Sequence, residues 1–176
     1  TETQTEELIK IQRTLGDIVR LNKTLLLLTR IENGQFPEST EIEIASMLRE
    51  QADLYAEIYG HRNICSRTEE SGPLTVRMNR SLASTLVSNL LKNAYVHTPE
   101  GGRIEIGLRN RTLTVANSGE KALDGERIFE RFYQGSKKEG STGLGLSLVS
   151  AVGRYYGLHI EYAFEEGMHR FSVTWP

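Results

Sequence analysis

Apolar residues recur through the first part of the chain at close to a 3.5-residue spacing: Leu8, Ile11, Leu15, Ile18 and Leu25, with Leu21 and Leu28 widening the stripe. That period predicts one long helix over residues 3–32. Thr3 and Glu6 have the spacing of a capping box at its start, and Gly34 is placed to stop it. Asn22 puts a polar step into the seam. Such a seam suits either a partner helix or the core of the same domain. The stretch Gln35–Ser39, with Pro37, reads as a linker and favours an interface.

Thr40 and Glu43 have the same capping spacing before Ile44, Met47, Leu48, Leu54 and Ile58, which predict a second helix to about Tyr59. Residues 63–67 and 74–78 are strand-like, with Leu74, Val76 and Met78 alternating and Ser71-Gly72-Pro73 as the turn between them. Asn79 is placed to cap a helix over 80–97 whose stripe is Leu82, Leu86, Leu90 and Ala94. Ile104, Ile106 and Leu108 alternate as a strand. Asn110-Arg111 turns the chain into a partner carrying Leu113 and Val115. A short helix is expected over 123–132, a polar segment over 133–142, and a helix over 144–156 closed by Gly157. Residues 159–164 and 170–175 form the last hairpin.

Strands in this order come in pairs and not singly between helices. That predicts an α+β fold: a mixed, mostly antiparallel sheet with helices on one face, preceded by one long helix. Composition agrees with a globular chain able to bury a core, 38% hydrophobic and 25% charged over 176 residues. A net charge of -2 gives no electrostatic footprint for nucleic acid. One cysteine, Cys65, excludes an internal disulfide and a cysteine-based zinc site, and fits a reducing compartment. The longest apolar run, Leu25–Leu28, is far short of the ~20 residues of a membrane span, and no signal peptide precedes the first helix. A start at Thr1 without Met points to a piece of something longer.

Chemistry concentrates in two places. Ser141-Thr142-Gly143-Leu144-Gly145-Leu146-Ser147 reads as a glycine-rich loop entering a helix. Glycines allow close approach to the backbone, and the first N–H groups of a helix carry the positive end of its dipole, so the pair suits phosphate. A flexible linker before an ordinary helix is the plainer reading. Upstream, Thr85, Asn89, Asn93 and His97 are four apart and share one helix face beside the apolar stripe. Amide oxygens there suit a hard cation such as Mg²⁺; a solvated polar face explains the spacing equally well. Other motifs fail. Gly135 to Thr142 mimics a Walker loop but lacks the lysine after its second glycine. Leu148 stands where a dinucleotide fingerprint needs its third glycine. His61, His97, His159 and His169 show no paired metal spacing, and all but His97 read as strand-end or surface residues.

Three segments carry a family resemblance. Asn89 to Pro99 resembles the asparagine box of sensor histidine kinases, Phe129-Glu130-Arg131-Phe132-Tyr133 their phenylalanine box, and Thr142 to Leu146 their second glycine box. Order and spacing agree over residues 37–176. The resemblance implies a Bergerat-type two-layer α/β sandwich that binds ATP with Mg²⁺. Asn93 would hold the metal with Asn89 helping. His97 would sit near the phosphates, and Thr142, Gly143, Leu144, Gly145 and Leu146 would cradle them. Arg131 would approach the transferred phosphate, and Lys137 would act from a lid over residues 134–142. Residues 1–36 resemble the second helix of the dimerisation region. This implies a homodimer, a response regulator receiver domain as onward partner, and the cytoplasmic portion of a membrane receptor.

The sequence departs from the family pattern at several points. The first glycine box reads Val115-Ala116-Asn117-Ser118-Gly119, with Asn117 where an Asp usually reads the adenine amino group. An amide oxygen still accepts from that group, but its NH₂ then needs an acceptor. Gly119 retains one glycine of the box, while Lys121 stands where a second is usual. Val96 stands where many members place a phosphate-facing lysine. No histidine lies in an acceptor motif, so the phosphorylated histidine is expected outside these residues. Asn89 stands where ATP-hydrolysing relatives place a glutamate base, which favours transfer over hydrolysis. Two further readings stay open: a degenerate nucleotide-binding scaffold signalling through dimerisation, and a serine kinase of the anti-sigma type.

Overall fold

The computed structural model describes residues 1–135 and 141–176. Helix α1, Glu2–Glu32, is capped by Thr1 in a capping box with Gln4, so it starts earlier than the Thr3/Glu6 pair suggested. Its seam divides. Leu8, Ile11, Leu15 and Ile18 are exposed, whereas Leu28 and Ile31 are buried in the core, with Leu21 and Leu25 packed beside them. Each buried aliphatic side chain contributes roughly 1.5–3 kcal/mol. The C-terminal end of α1 is therefore fixed onto the rest of the chain by apolar packing, whereas the apolar seam of its N-terminal half is exposed.

Residues 40–43 form strand β1, Thr40–Glu43, and not the start of a helix. Helix α2, Ile44–Ile58, follows, capped by the Glu43 carboxylate. That carboxylate accepts from the N–H of Ala45 at 3.0 Å, of Ser46 at 2.7 Å and of Leu74 at 3.3 Å, tying the helix start to the next strand. Partial burial pushes its pKa up, but the three N–H donors and Arg49 outweigh this and hold it below 4.5. Its stabilisation is therefore present above the ordinary carboxylate range and lost as pH falls through the lowered value. Glu43→Ala is expected to cost about 1–2 kcal/mol at neutral pH, read from the denaturant midpoint, with the gap closing in acid.

Strands β2, Cys65–Glu70, and β3, Thr75–Met78, do not form the expected hairpin. β3 pairs antiparallel with β1 in a two-stranded sheet, and β2 pairs parallel with β4, Arg103–Arg109. Helix α3, Arg80–His97, lies in the crossover between β2 and β4 that a parallel pair requires. β4, β5 (Thr112–Ser118), β7 (Met168–Thr174) and β6 (His159–Glu165) each pair antiparallel with their neighbours, giving the order β2-β4-β5-β7-β6. Ile104, Ile106 and Leu108 of β4 are buried between exposed or half-buried neighbours, so one sheet face carries the core. Helices α3 and α4, Gly145–Tyr156, pack together there, α2 lies against α3, and α1 lies against α4.

Residues 123–132 hold turns in place of the expected helix. The Asp124 carbonyl accepts from the N–H of Arg127 and of Ile128, and the Arg127 carbonyl from that of Glu130. Gly125 interrupts the segment, and its apolar anchors are few: Ile128 in the core and Phe129 edge-on to Phe171. A stretch this short does not hold a helix unaided.

Candidate functional site

Helix α3 fixes one wall of the site. Asn79 caps it through Oδ1, accepting from the N–H of Ser81 and of Leu82. Leu82, Leu86, Leu90 and Ala94 are buried, which turns Asn89, Asn93 and His97 towards a cavity of about 420 Å³. The cavity brings together nine of the residues singled out from sequence: Asn89, Asn93, His97, Asn117, Gly119, Thr142, Gly143, Gly145 and Leu146.

The opposite wall is the start of α4. A Cβ added to Gly145 would stand 3.1 Å from Asn89 Oδ1, so the asparagine face and the glycine turn meet across the gap. Gly143 has φ +72, and a Cβ there would come within 2.9 Å of the Phe132 backbone. Two bonds join residues 132–134 to residues 141–143: Phe132 N–H to the Gly143 carbonyl and Gln134 Nε2 to the Ser141 carbonyl, each 2.9 Å. Helices α1, α2 and α3 have side-chain caps from Thr1, Glu43 and Asn79. Among the described residues no side chain caps α4. The helix whose N–H groups border the cavity is thus, of the four α-helices, the one without a cap among the described residues, and its dipole adds positive potential there.

The donor set fits Mg²⁺ only in company with phosphates. Asn89 Nδ2 donates to the Thr85 carbonyl at 2.8 Å, which leaves its amide oxygen for the cavity. Asn93 lines the cavity with its amide unbonded to the described residues. No group of three or more His, Cys, Asp or Glu side chains gathers among the described residues, so there is no all-protein cage. Mg²⁺ is commonly held in this manner by a few protein oxygens, waters and substrate phosphates.

Two residues implied by the resemblance are placed elsewhere. Arg131 does not line the cavity; its guanidinium pairs with Glu32 at the end of α1, both side chains more than two-fifths exposed. Leu144 is fully buried, because its apolar side chain turns into the core as α4 begins. Its carbonyl accepts from Leu148 N–H and Ser147 Oγ. Lys137 lies outside the described residues.

The cavity also contains residues that sequence reasoning passed over. Arg20 and Thr24 of α1 line it, as does Lys92, one turn before Val96. Burial of the ammonium and the nearby Arg20 guanidinium hold the Lys92 pKa below the ordinary lysine value. Two cations crowded at one cavity edge suit an anionic ligand. The i, i+4 relation of Lys92 to Val96 was the available signal. His169, read from sequence as a strand-end or surface residue, also lines the cavity. It lies directly across β5–β7 from Asn117. Only the strand register could have shown that.

This layered fold and its cavity define a Bergerat-type ATP-binding α/β sandwich. The sequence profile of the histidine kinase-, DNA gyrase B-, and HSP90-like ATPases matches residues 78–176, and the chain belongs to that family. Within it, the similar proteins are sensor histidine kinases. The sensor-like histidine kinase SenX3 of Mycobacterium tuberculosis is 30% identical over 149 residues, covering 78% of this chain and 36% of its own length. The sensor histidine kinase HprS of Escherichia coli is 26% identical over 191 residues, covering 100% of this chain and 42% of its own length. The solved catalytic domain of the histidine kinase ThkA has a TM-score of 0.66 at 28% identity, covering 78% of this chain and 95% of that one. The chain thus spans about two-fifths or less of these curated relatives.

Proposed function

We propose that the chain binds Mg²⁺–ATP in this cavity and transfers the γ-phosphoryl group to a histidine outside these residues. The carrying observation is the meeting of the Asn89 amide with Gly145 beside the start of α4, which no side chain among the described residues caps. Asn93 and Asn89 would hold Mg²⁺, which would supply charge neutralisation along the phosphates. The α4 N–H groups and Gly143 receive the phosphate chain, and Lys92 and Arg20 add the positive charge that Val96 does not provide. In the transfer, the bond from the γ-phosphorus to the bridging oxygen breaks, an imidazole nitrogen bonds to that phosphorus, and ADP leaves. Asn89 cannot take a proton from water, which disfavours hydrolysis.

The same reading assigns residues 1–36 to the second helix of a dimerisation region and 37–176 to the catalytic domain. The exposed seam of Leu8, Ile11, Leu15 and Ile18 supports pairing with a second copy in a four-helix bundle. Among the described residues no helix is long and apolar enough to cross a membrane. A cytoplasmic place in a membrane receptor, and a response regulator receiver domain as onward acceptor, belong to the proposal through its relatives.

The test supplies labelled ATP, Mg²⁺ and a separate helical hairpin bearing an acceptor histidine. Acid-labile phosphohistidine on the hairpin is the expected product. Rapid release of free phosphate in the absence of any acceptor would contradict transfer.

A further inference from the structure

Resting on the adenine-nucleotide reading above, we propose that His169 and Asn117 together read the Watson–Crick edge of the base. Asn117 accepts from the exocyclic amine, and His169 Nε2–H donates to ring nitrogen N1. The two residues are direct partners in the β5–β7 register, so their side chains leave the same face of the sheet. Both line the cavity.

Asn117 is only 1% exposed. Its Nδ2 donates to the Ser118 carbonyl at 3.2 Å, which supplies the acceptor that an asparagine at this position needs. Its Oδ1 has no partner among the described residues and borders the cavity. Rotating the amide by half a turn would set Oδ1 against the Ser118 carbonyl, so the acceptor orientation is held.

Tyr162 is hydrogen-bonded to the His169 ring. The Tyr162 hydroxyl accepts from Leu123 N–H at 2.9 Å and lies 2.9 Å from His169 Nδ1. With the hydroxyl donating to Nδ1, the imidazole proton resides on Nε2, the tautomer this proposal uses. The Tyr162 ring stacks on the imidazole, and burial holds the His169 pKa below its ordinary value. Nε2 lies against Gly119, where an added Cβ would come within 2.0 Å of it. Glycine at 119 is therefore what makes room for this edge of the ring at the cavity.

An acceptor beside a donor complements the amine and N1 of adenine. Guanine presents a carbonyl and an N–H in the same places, and both contacts would be mismatched. The pair thus accounts for base selection without the carboxylate that relatives use.

The test measures binding of ATP, 1-deaza-ATP and 7-deaza-ATP to the parent chain and to His169→Phe, which keeps an aromatic ring beside Tyr162. The parent is expected to bind 1-deaza-ATP about tenfold more weakly than ATP, and 7-deaza-ATP as well as ATP. His169→Phe is expected to bind ATP about tenfold more weakly than the parent and to make no distinction between ATP and 1-deaza-ATP. Equal binding of ATP and 1-deaza-ATP by the parent, or an unchanged distinction in the variant, overturns the proposal while leaving Mg²⁺–ATP binding intact. A parent that binds none of the three overturns the nucleotide reading and this proposal with it.

Discussion

Asn93→Ala is expected to weaken Mg²⁺–ATP binding at least tenfold, about 1.4 kcal/mol or more, while leaving the nucleotide-free thermal midpoint almost unchanged. The separation of the two effects follows from where the amide sits. The Asn93 side chain borders the cavity and makes no hydrogen bond to the described residues, so truncation breaks no internal bond among them. It removes a hard oxygen donor from a site with no carboxylate cluster among the described residues to replace it. Asn89→Ala is a less clean probe, because it also removes the bond to the Thr85 carbonyl. Calorimetric titration checks the prediction. With EDTA present the difference between parent and Asn93→Ala should vanish, since the metal is what the amide holds. An equal affinity in Mg²⁺ would remove Asn93 from the metal site.

Gly143→Ala is expected to weaken nucleotide binding by a factor of about ten to a hundred and to lower the thermal midpoint as well. Two costs combine. A φ of +72 is unfavourable for any residue with a Cβ, roughly 1–2 kcal/mol. The added methyl also meets the Phe132 backbone at 2.9 Å, and backbone cannot swing aside as a side chain can. Relief of that clash moves Gly143 away from Phe132, breaks the bond between them and shifts the first turn of α4. Gly34→Ala separates the contributions. Gly34 has φ +66 with nothing within 4 Å of its added Cβ, so it carries the conformational cost alone and sits outside the cavity. It should lose about as much stability as φ alone dictates and keep its nucleotide affinity. Equal loss of affinity in both variants would mean that binding follows global stability and not the geometry of the turn.

The parts of this architecture legible in the sequence were those fixed by local period and local chemistry. The Leu82, Leu86, Leu90 and Ala94 stripe placed α3 and, by exclusion, its asparagine face. Gly143 and Gly145 marked a turn open to close approach, and the structure sets Gly145 against Asn89 and Gly143 against the Phe132 backbone. What stayed hidden depended on pairing partners distant in sequence. β2 is exposed along nearly its whole length, so it carried no alternation to say which strand it would join. Thr40 and Glu43 had the spacing of a capping box, but a β-bridge to Met78 and Thr75 claims those residues, and the Glu43 carboxylate does the capping from within the strand. His169 looked like a strand-end residue because only the β5–β7 register sets it beside Asn117. Arg131 shows the converse failure. Its motif pointed to the phosphates, whereas the structure turns it to Glu32. An exposed pair of this kind contributes about 1 kcal/mol at most.

The seam on α1 divided for a similar reason. One period runs through both halves, but only the C-terminal half finds α4 to pack against. A uniform pattern therefore serves two surfaces, and the sequence had no mark for the boundary.

Mn²⁺–ATP titrated into isotope-labelled chain tests most directly whether α3 and the α4 turn enclose one nucleotide. Paramagnetic broadening should strike the amides of Asn89 and Asn93 together with those of Gly143 and Gly145, at the same substoichiometric Mn²⁺, and leave the N-terminal half of α1 sharp. Broadening confined to one of the two elements, or spread instead over acidic surface residues, would contradict a shared cleft.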